Sequence, residues 1–91
     1  MAKWIKLGRY HKILQDVMSA KKDDGIRFNE LCALLEMLGC ELNRVSDNHQ
    51  IFSYDNVEEQ LDFQTDGKKR SKATSSQVEQ TREFIKKYME V

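Results

Sequence analysis

The sequence has little cysteine and no long apolar run, and each shortage excludes a class of protein. Cys32 and Cys40 are too few to form a disulfide framework, and no Cys/His pair has zinc-finger spacing. The longest unbroken apolar run covers residues 31–35, which is far too short to span a bilayer. The basic N-terminus has no apolar segment typical of a secretory signal. We therefore expect a soluble cytoplasmic protein with reduced cysteines, no bound metal or cofactor and no membrane partner.

The chain also has no excess of either charge, because fifteen Lys and Arg balance fifteen Asp and Glu. The charges are unevenly distributed along its 91 residues. Residues 1–27 carry seven basic and three acidic residues, residues 28–67 carry one and nine, and residues 68–91 carry seven and three. A nucleic-acid-binding protein usually presents a basic surface. This chain could do so only if its two basic ends fold onto one side, so composition argues mildly against tight nucleic-acid binding.

Three segments have the apolar spacing of a helical face. The first predicts a helix over about residues 3–20, with a frayed amphipathic arm as the alternative. A leucine-rich segment predicts a second helix, with Asn29 as a cap near its start and Gly39 closing it. Ser76 and Glu79 fit a capping box, which predicts a last helix. Apolar residues mark the three faces: Tyr10, Ile13, Leu14, Val17 and Met18; Phe28, Leu31, Leu34, Leu35 and Leu38; and Val78, Phe84, Ile85, Tyr88 and Met89.

Between the second and last helices the period changes to that of strands. Residues 40–45 partly alternate, residues 49–54 form a second predicted strand, and residues 57–64 alternate cleanly. Asp55 and Asn56 suit a two-residue hairpin loop. We therefore predict an α+β fold in which two helices cover one face of a three-stranded antiparallel sheet, preceded by an extra helix. This α-β-β-β-α sandwich matches the architecture of double-stranded-RNA-binding domains.

His49 is the side chain best suited to move a proton near neutral pH, at a junction between a turn and a strand. A histidine at a strand end that only bonds the backbone is the alternative. Lys68, Lys69, Arg70 and Lys72 are the best candidates to bind phosphate. An ordinary solvated loop is the alternative reading of these four cations.

Three segments, in this order and spacing, resemble the HicA toxins of bacterial toxin–antitoxin pairs, which are small ribonucleases with a fold like that of double-stranded-RNA-binding domains. The first runs from Ile26-Arg27-Phe28-Asn29-Glu30-Leu31 to Leu38-Gly39, and the second is His49-Gln50-Ile51-Phe52. The third is Gln64-Thr65-Asp66-Gly67, followed by Lys72-Ala73 and Gln77-Val78. The likeness covers roughly residues 26–89, which divides the chain into an N-terminal helix and loop (residues 1–25) and a HicA-like domain (residues 26–91).

The resemblance implies a metal-independent endoribonuclease that cleaves mRNA with His49 and is held inactive by a cognate HicB-like antitoxin, in a complex that could be oligomeric. The second catalytic group is left open, with Glu58, Glu59 and Asp47 as candidates. Asp47 replaces a glycine of the family, and its carboxylate would repel the phosphate backbone there. A catalytically weak or inactive HicA-like module that binds RNA or protein is therefore the alternative.

Overall fold

A computed structural model describes residues 8, 10–21, 25–46, 48–65 and 71–89 of the chain. This part contains three helices and a three-stranded antiparallel sheet with strand order β1-β2-β3, so the predicted α+β class is confirmed. None of the helices in these ranges is long and apolar enough to cross a membrane. The elements are α1 (Tyr10–Ser19), α2 (Phe28–Met37), β1 (Glu41–Ser46), β2 (His49–Ser53), β3 (Leu61–Gln64) and α3 (Ser75–Tyr88).

Helix α1 packs on the rest of the fold rather than fraying. Leu14 and Val17 on its apolar face are buried in the same core as the other helices. The buried guanidinium of Arg82 in α3 donates a hydrogen bond to the carbonyl of Val17, with an N–O distance of 3.0 Å. A carbonyl in the last turn of a helix has no partner within the helix, so Arg82 satisfies it. The predicted start of this helix near residue 3 lies outside the described residues.

Helix α2 ends as predicted but begins differently. Gly39 has φ of +105°, the left-handed conformation that closes a helix, and the N–H of Cys40 bonds the Leu35 carbonyl at 2.9 Å. The predicted Asn29 cap is wrong, because Asn29 lies inside the helix and Arg27 occupies the cap position. The N–H of the buried Phe28 bonds the Ser71 carbonyl at 2.9 Å, and this contact sets where the helix begins.

The capping box of α3 lies two residues before the predicted one. The Thr74 hydroxyl accepts a hydrogen bond from the Gln77 N–H at 3.0 Å, and the Gln77 side chain accepts one from the Thr74 N–H at 3.1 Å. Both this pair and the predicted Ser76–Glu79 pair fit the capping-box pattern. The tertiary structure selects the earlier pair, because the Gln77 amide also donates to the Gln64 carbonyl at 2.7 Å. The prediction of Ser76 as the cap is therefore wrong.

The connection between β2 and β3 is longer than predicted. A turn does form at the predicted place, with Asp55 at φ of +48° and the Val57 N–H bonding the Tyr54 carbonyl at 3.0 Å. Strand β3 nevertheless begins only at Leu61, so the predicted strand start at Val57 is wrong. Between these points the Glu59 carboxylate accepts hydrogen bonds from Lys87 and Tyr88, which attach this loop to α3.

The sheet has one covered face and one open face. On the covered face Phe52, Leu61 and Phe63 are buried against the helices, and the Phe28 ring of α2 meets the Phe63 ring edge-on at 6.2 Å. The open face is formed by the other side chains of β2 and β3, and these are exposed or half-buried. They are His49, Ile51 and Ser53 of β2 with Asp62 and Gln64 of β3. The side-chain period of two therefore puts the predicted catalytic histidine opposite the core.

Candidate functional site

His49 is the first residue of β2, and its side chain lies on the open face with 29% of its surface exposed. Its direct partner across the strand pair is Gln64. The backbone around it is anchored, since the Thr65 N–H bonds the Asn48 carbonyl at 2.9 Å. An imidazole on this rim is reachable from solvent and held by a regular strand pair. A substrate could therefore approach it without any rearrangement of the sheet.

The Asp62 carboxylate hydrogen-bonds Nε2 of the His49 ring. Asp62 lies on β3 opposite Ile51, so it is the diagonal neighbour of His49 across the strand pair. Its side chain is 60% exposed, and its chain neighbours Leu61 and Phe63 are buried in the core. The pair is an imidazole oriented by a carboxylate, a combination that can transfer a proton.

Asp62 was not among the predicted site residues, although it lies in the segment of residues 57–64 that was predicted to alternate. A usable signal was present in the alternation. A two-residue loop at Asp55 and Asn56 would put Asp62 directly opposite His49. In the structure Gln64 lies opposite His49 instead, so the register of the strand pair differs by two residues. A shift of two keeps both side chains on one face, so either register brings them together.

The structure does not bring the predicted partner carboxylates Glu58 and Glu59 to His49. Both lie in the loop that follows β2, whereas His49 is at the start of that strand. The Glu59 carboxylate accepts hydrogen bonds from the Tyr88 hydroxyl at 2.7 Å and the Lys87 ammonium at 3.1 Å. The hydrogen bond from Tyr88, followed by that from Lys87, lowers the pKa of Glu59. Asp47, the third candidate, lies outside the described residues.

Of the predicted phosphate-binding cations, Lys68, Lys69 and Arg70 lie outside the described residues, and Lys72 lies within them. Lys72 is exposed, and its backbone forms an isolated bridge with that of Arg27. It contributes to the wall of an open cleft of about 310 Å³. Thr65 also lines this cleft, and its N–H bonds the residue before His49. The cleft is lined by Phe28, Gln64, Thr65, Ser71, Lys72, Thr74 and Gln77.

The two cysteines behave as packing residues. Both are buried, and burial raises the pKa of the Cys40 thiol to about 11, which keeps it protonated at neutral pH. The Cys32 thiol donates a weak hydrogen bond to the Gln50 side chain at 3.5 Å. Over the described ranges, no group of three or more His, Cys, Asp or Glu side chains is arranged to hold a metal ion.

Comparisons of the chain with family models, with curated proteins and with solved structures give no match. The resemblance to the HicA toxins therefore stays a prediction from the residues that carry it. The catalytic role that it implies for His49 and the phosphate-binding role expected of Lys72 stay predictions too.

Proposed function

We propose that the chain is a HicA-like toxin, a metal-independent endoribonuclease that cleaves mRNA in the cytoplasm with His49. The observation that carries the proposal is a partly exposed imidazole on the rim of the sheet, on its open face and hydrogen-bonded to a carboxylate. The order of helix, three strands and helix from α2 to α3 supports the finer assignment of a fold like that of double-stranded-RNA-binding domains.

Cleavage of RNA without a metal needs three things from the protein. A base must take the proton of the 2′-hydroxyl, an acid must protonate the departing 5′-oxygen, and a cation must stabilise the charge on phosphorus. The His49 imidazole can perform either proton transfer. Lys72, with the predicted contributions of Lys68, Lys69 and Arg70, supplies the cations.

The substrate would be held mainly through its backbone. Lysine and arginine side chains bind phosphates without reading the bases, and helical RNA is recognised largely by phosphate and 2′-hydroxyl contacts. The position of Lys72 beside a cleft that shares Thr65 with the His49 strand end supports this arrangement. We therefore expect low sequence specificity. A HicB-like antitoxin would inactivate the enzyme by covering the open face.

Induction of the chain in a bacterial host without a partner tests the proposal. The wild type should stop growth and deplete mRNA, and His49→Ala should abolish both effects, since loss of a general acid or base costs about 100-fold or more in rate. His49 lies on the open face and is partly exposed, so the variant should melt within a few degrees of the wild type.

His11→Ala is the matched control. His11 is exposed on α1, where its ring hydrogen-bonds the Gln15 side chain at 3.3 Å, so this variant should stay toxic. A His49→Ala variant that is as toxic as the wild type would show that the catalytic assignment is wrong. Purified wild-type and variant proteins incubated with a structured RNA in the presence of a chelator should reproduce the same difference.

The second candidate is a catalytically weak or inactive HicA-like module that binds RNA or protein. The exposed carboxylate of Asp62 beside His49 favours this reading, because it would repel a phosphate at the same place. Asp47, at the family's glycine position, is a second carboxylate of this kind in the sequence. If neither the wild type nor His49→Ala is toxic, but the protein binds RNA with an affinity that falls steeply as salt rises, the function is that of a binding module. An Asp47→Gly variant that gains activity would identify that carboxylate as the obstacle.

A further inference from the structure

The two nitrogens of the His49 ring have different surroundings. Nε2 meets the Asp62 carboxylate, whereas Nδ1 has no hydrogen-bond partner among the described residues. A neutral imidazole carries its proton on one nitrogen and a lone pair on the other. An ionised carboxylate can only accept a hydrogen bond. The contact therefore favours the tautomer with the proton on Nε2 and the lone pair on Nδ1.

We propose that Asp62 is a positioning residue that holds His49 in this tautomer, so that Nδ1 is the nitrogen that takes the proton from the 2′-hydroxyl of RNA. This inference rests on the proposed nuclease function and specifies how its base is prepared. In this role Asp62 acts through the imidazole that it contacts and not directly on the reacting atoms. Its role is to determine which ring nitrogen is basic and to restrict rotation of the ring.

The proton and bond changes follow from this assignment. The 2′-hydroxyl gives its proton to Nδ1, the 2′-oxygen forms a bond to phosphorus, and the bond from phosphorus to the 5′-oxygen breaks. Water protonates the departing 5′-oxygen, and the hydroxide left behind removes the proton from Nδ1. The products are a 2′,3′-cyclic phosphate and a 5′-hydroxyl end, and the ring returns to its starting tautomer.

The structure explains why Asp62 can hold a fixed position despite its exposure. Its neighbours Leu61 and Phe63 are only 3% and 1% exposed, so the core anchors the backbone on both sides of it. His49 is fixed from the other strand by its pairing with Gln64. Solvent weakens the interaction at a 60% exposed carboxylate, so we expect a moderate catalytic effect.

Long-range proton–nitrogen NMR spectra of the ring test the tautomer directly, at a pH where His49 is neutral. The wild type should show the proton on Nε2, protected from exchange with water. Asp62→Ala should lose this protection, and Asp62→Asn should keep part of it because its amide oxygen can still accept. Glu58→Ala is the control, because it removes one carboxylate from the loop after β2, at the end of the strand away from His49. It should leave the ring signals unchanged.

Steady-state cleavage of an RNA oligonucleotide tests the catalytic consequence. Asp62→Ala should lower kcat about tenfold without raising KM, and Asp62→Asn should recover part of the loss. Glu58→Ala should keep the wild-type kcat. A merely structural role would instead lower the melting temperature and affect kcat in proportion to the unfolded fraction.

Two results would overturn the inference while leaving the nuclease function intact. One is a wild-type ring with its proton on Nδ1, and the other is an Asp62→Ala variant that cleaves at the wild-type kcat. If the wild type cuts no RNA, the proposed function and the catalytic part of the inference fail together. The NMR spectra still decide, in that case, whether Asp62 holds the Nε2 tautomer.

Discussion

The two faces of the sheet use the same strands for opposite purposes. On the covered face Phe52 and Phe63 are 0% and 1% exposed and pack with their rings 6.1 Å apart. On the open face His49 and Asp62, which are 29% and 60% exposed, hydrogen-bond each other. Successive side chains of a strand point to opposite faces of the sheet. Each residue of the site is therefore next in sequence to a residue whose side chain points toward the core.

This arrangement separates stability from chemistry. Burial of aromatic side chains on the covered face stabilises the fold by removing apolar surface from water. The polar pair on the open face contributes little to stability, because its groups stay hydrated. The backbone of the site is nevertheless continuous with the core, because the buried Leu61 and Phe63 flank Asp62. Changes on the covered face should therefore unfold the protein, and changes on the open face should alter its activity.

The largest expected effect is the loss of stability on replacing Phe63 by alanine. Phe63 contacts the rings of Phe28 and Phe52 in the centre of the core, so the variant should lose about 3–5 kcal/mol of unfolding free energy. Ile51→Ala, a change on the open face, is the control and should lose about 1 kcal/mol or less, because Ile51 is only half-buried. Urea titrations followed by circular dichroism measure both. Equal losses would mean that the open face is also part of the core.

An intermediate effect is expected where α1 attaches to the helices above the covered face. Arg82→Ala removes a buried hydrogen-bond donor to the Val17 carbonyl, so the free energy of unfolding should fall by about 1–3 kcal/mol. Amide hydrogen exchange in α1 should accelerate more than exchange in the sheet. Lys86→Ala, on the exposed side of the same helix, should change neither quantity. Uniform acceleration throughout the fold would show that α1 does not open separately.

The smallest expected effect concerns the loop that joins the two strands of the site. The pKa of Glu59 is lowered, chiefly by the hydrogen bond from Tyr88 and then by Lys87, so its carboxylate form favours the folded state. This stabilisation should be present above the ordinary pKa of 4.5 and be lost as pH falls through the lower folded value. The wild type should therefore be slightly more stable than Glu59→Gln at neutral pH, and the two should converge in acid. A difference that persists at low pH would contradict this attribution.

The helices were predictable because their apolar spacing is long and regular, but their first residues were not. Asn29, Ser76 and the observed cap Thr74 are all residues that can cap a helix. The chain before α2 pairs with the chain before α3, and the Ala73 N–H bonds the Ile26 carbonyl at 2.8 Å. This pairing fixes the residue at which each of the two helices begins. Contacts between segments more than 40 residues apart leave no local pattern in the sequence.

The site was predictable in part for the same reason. His49 stands out because the chain has only one other histidine and because the turn before a strand is a local signal. Asp62 is one of many acidic residues and becomes distinctive only through its position across the strand pair. The sequence left Glu58, Glu59 and Asp47 open as partner groups without singling one out. The loop carries Glu58 and Glu59 beyond the far end of β2.

The sequence by itself determined which apolar faces of the helices pack into the core, because period and hydrophobicity act locally along each segment. Only the tertiary structure decided which carboxylate meets that imidazole, where α2 and α3 begin, and that Arg82 joins α1 to α3. Each of these depends on the register or distance between segments far apart in the chain, and that is fixed by the packing of the whole fold.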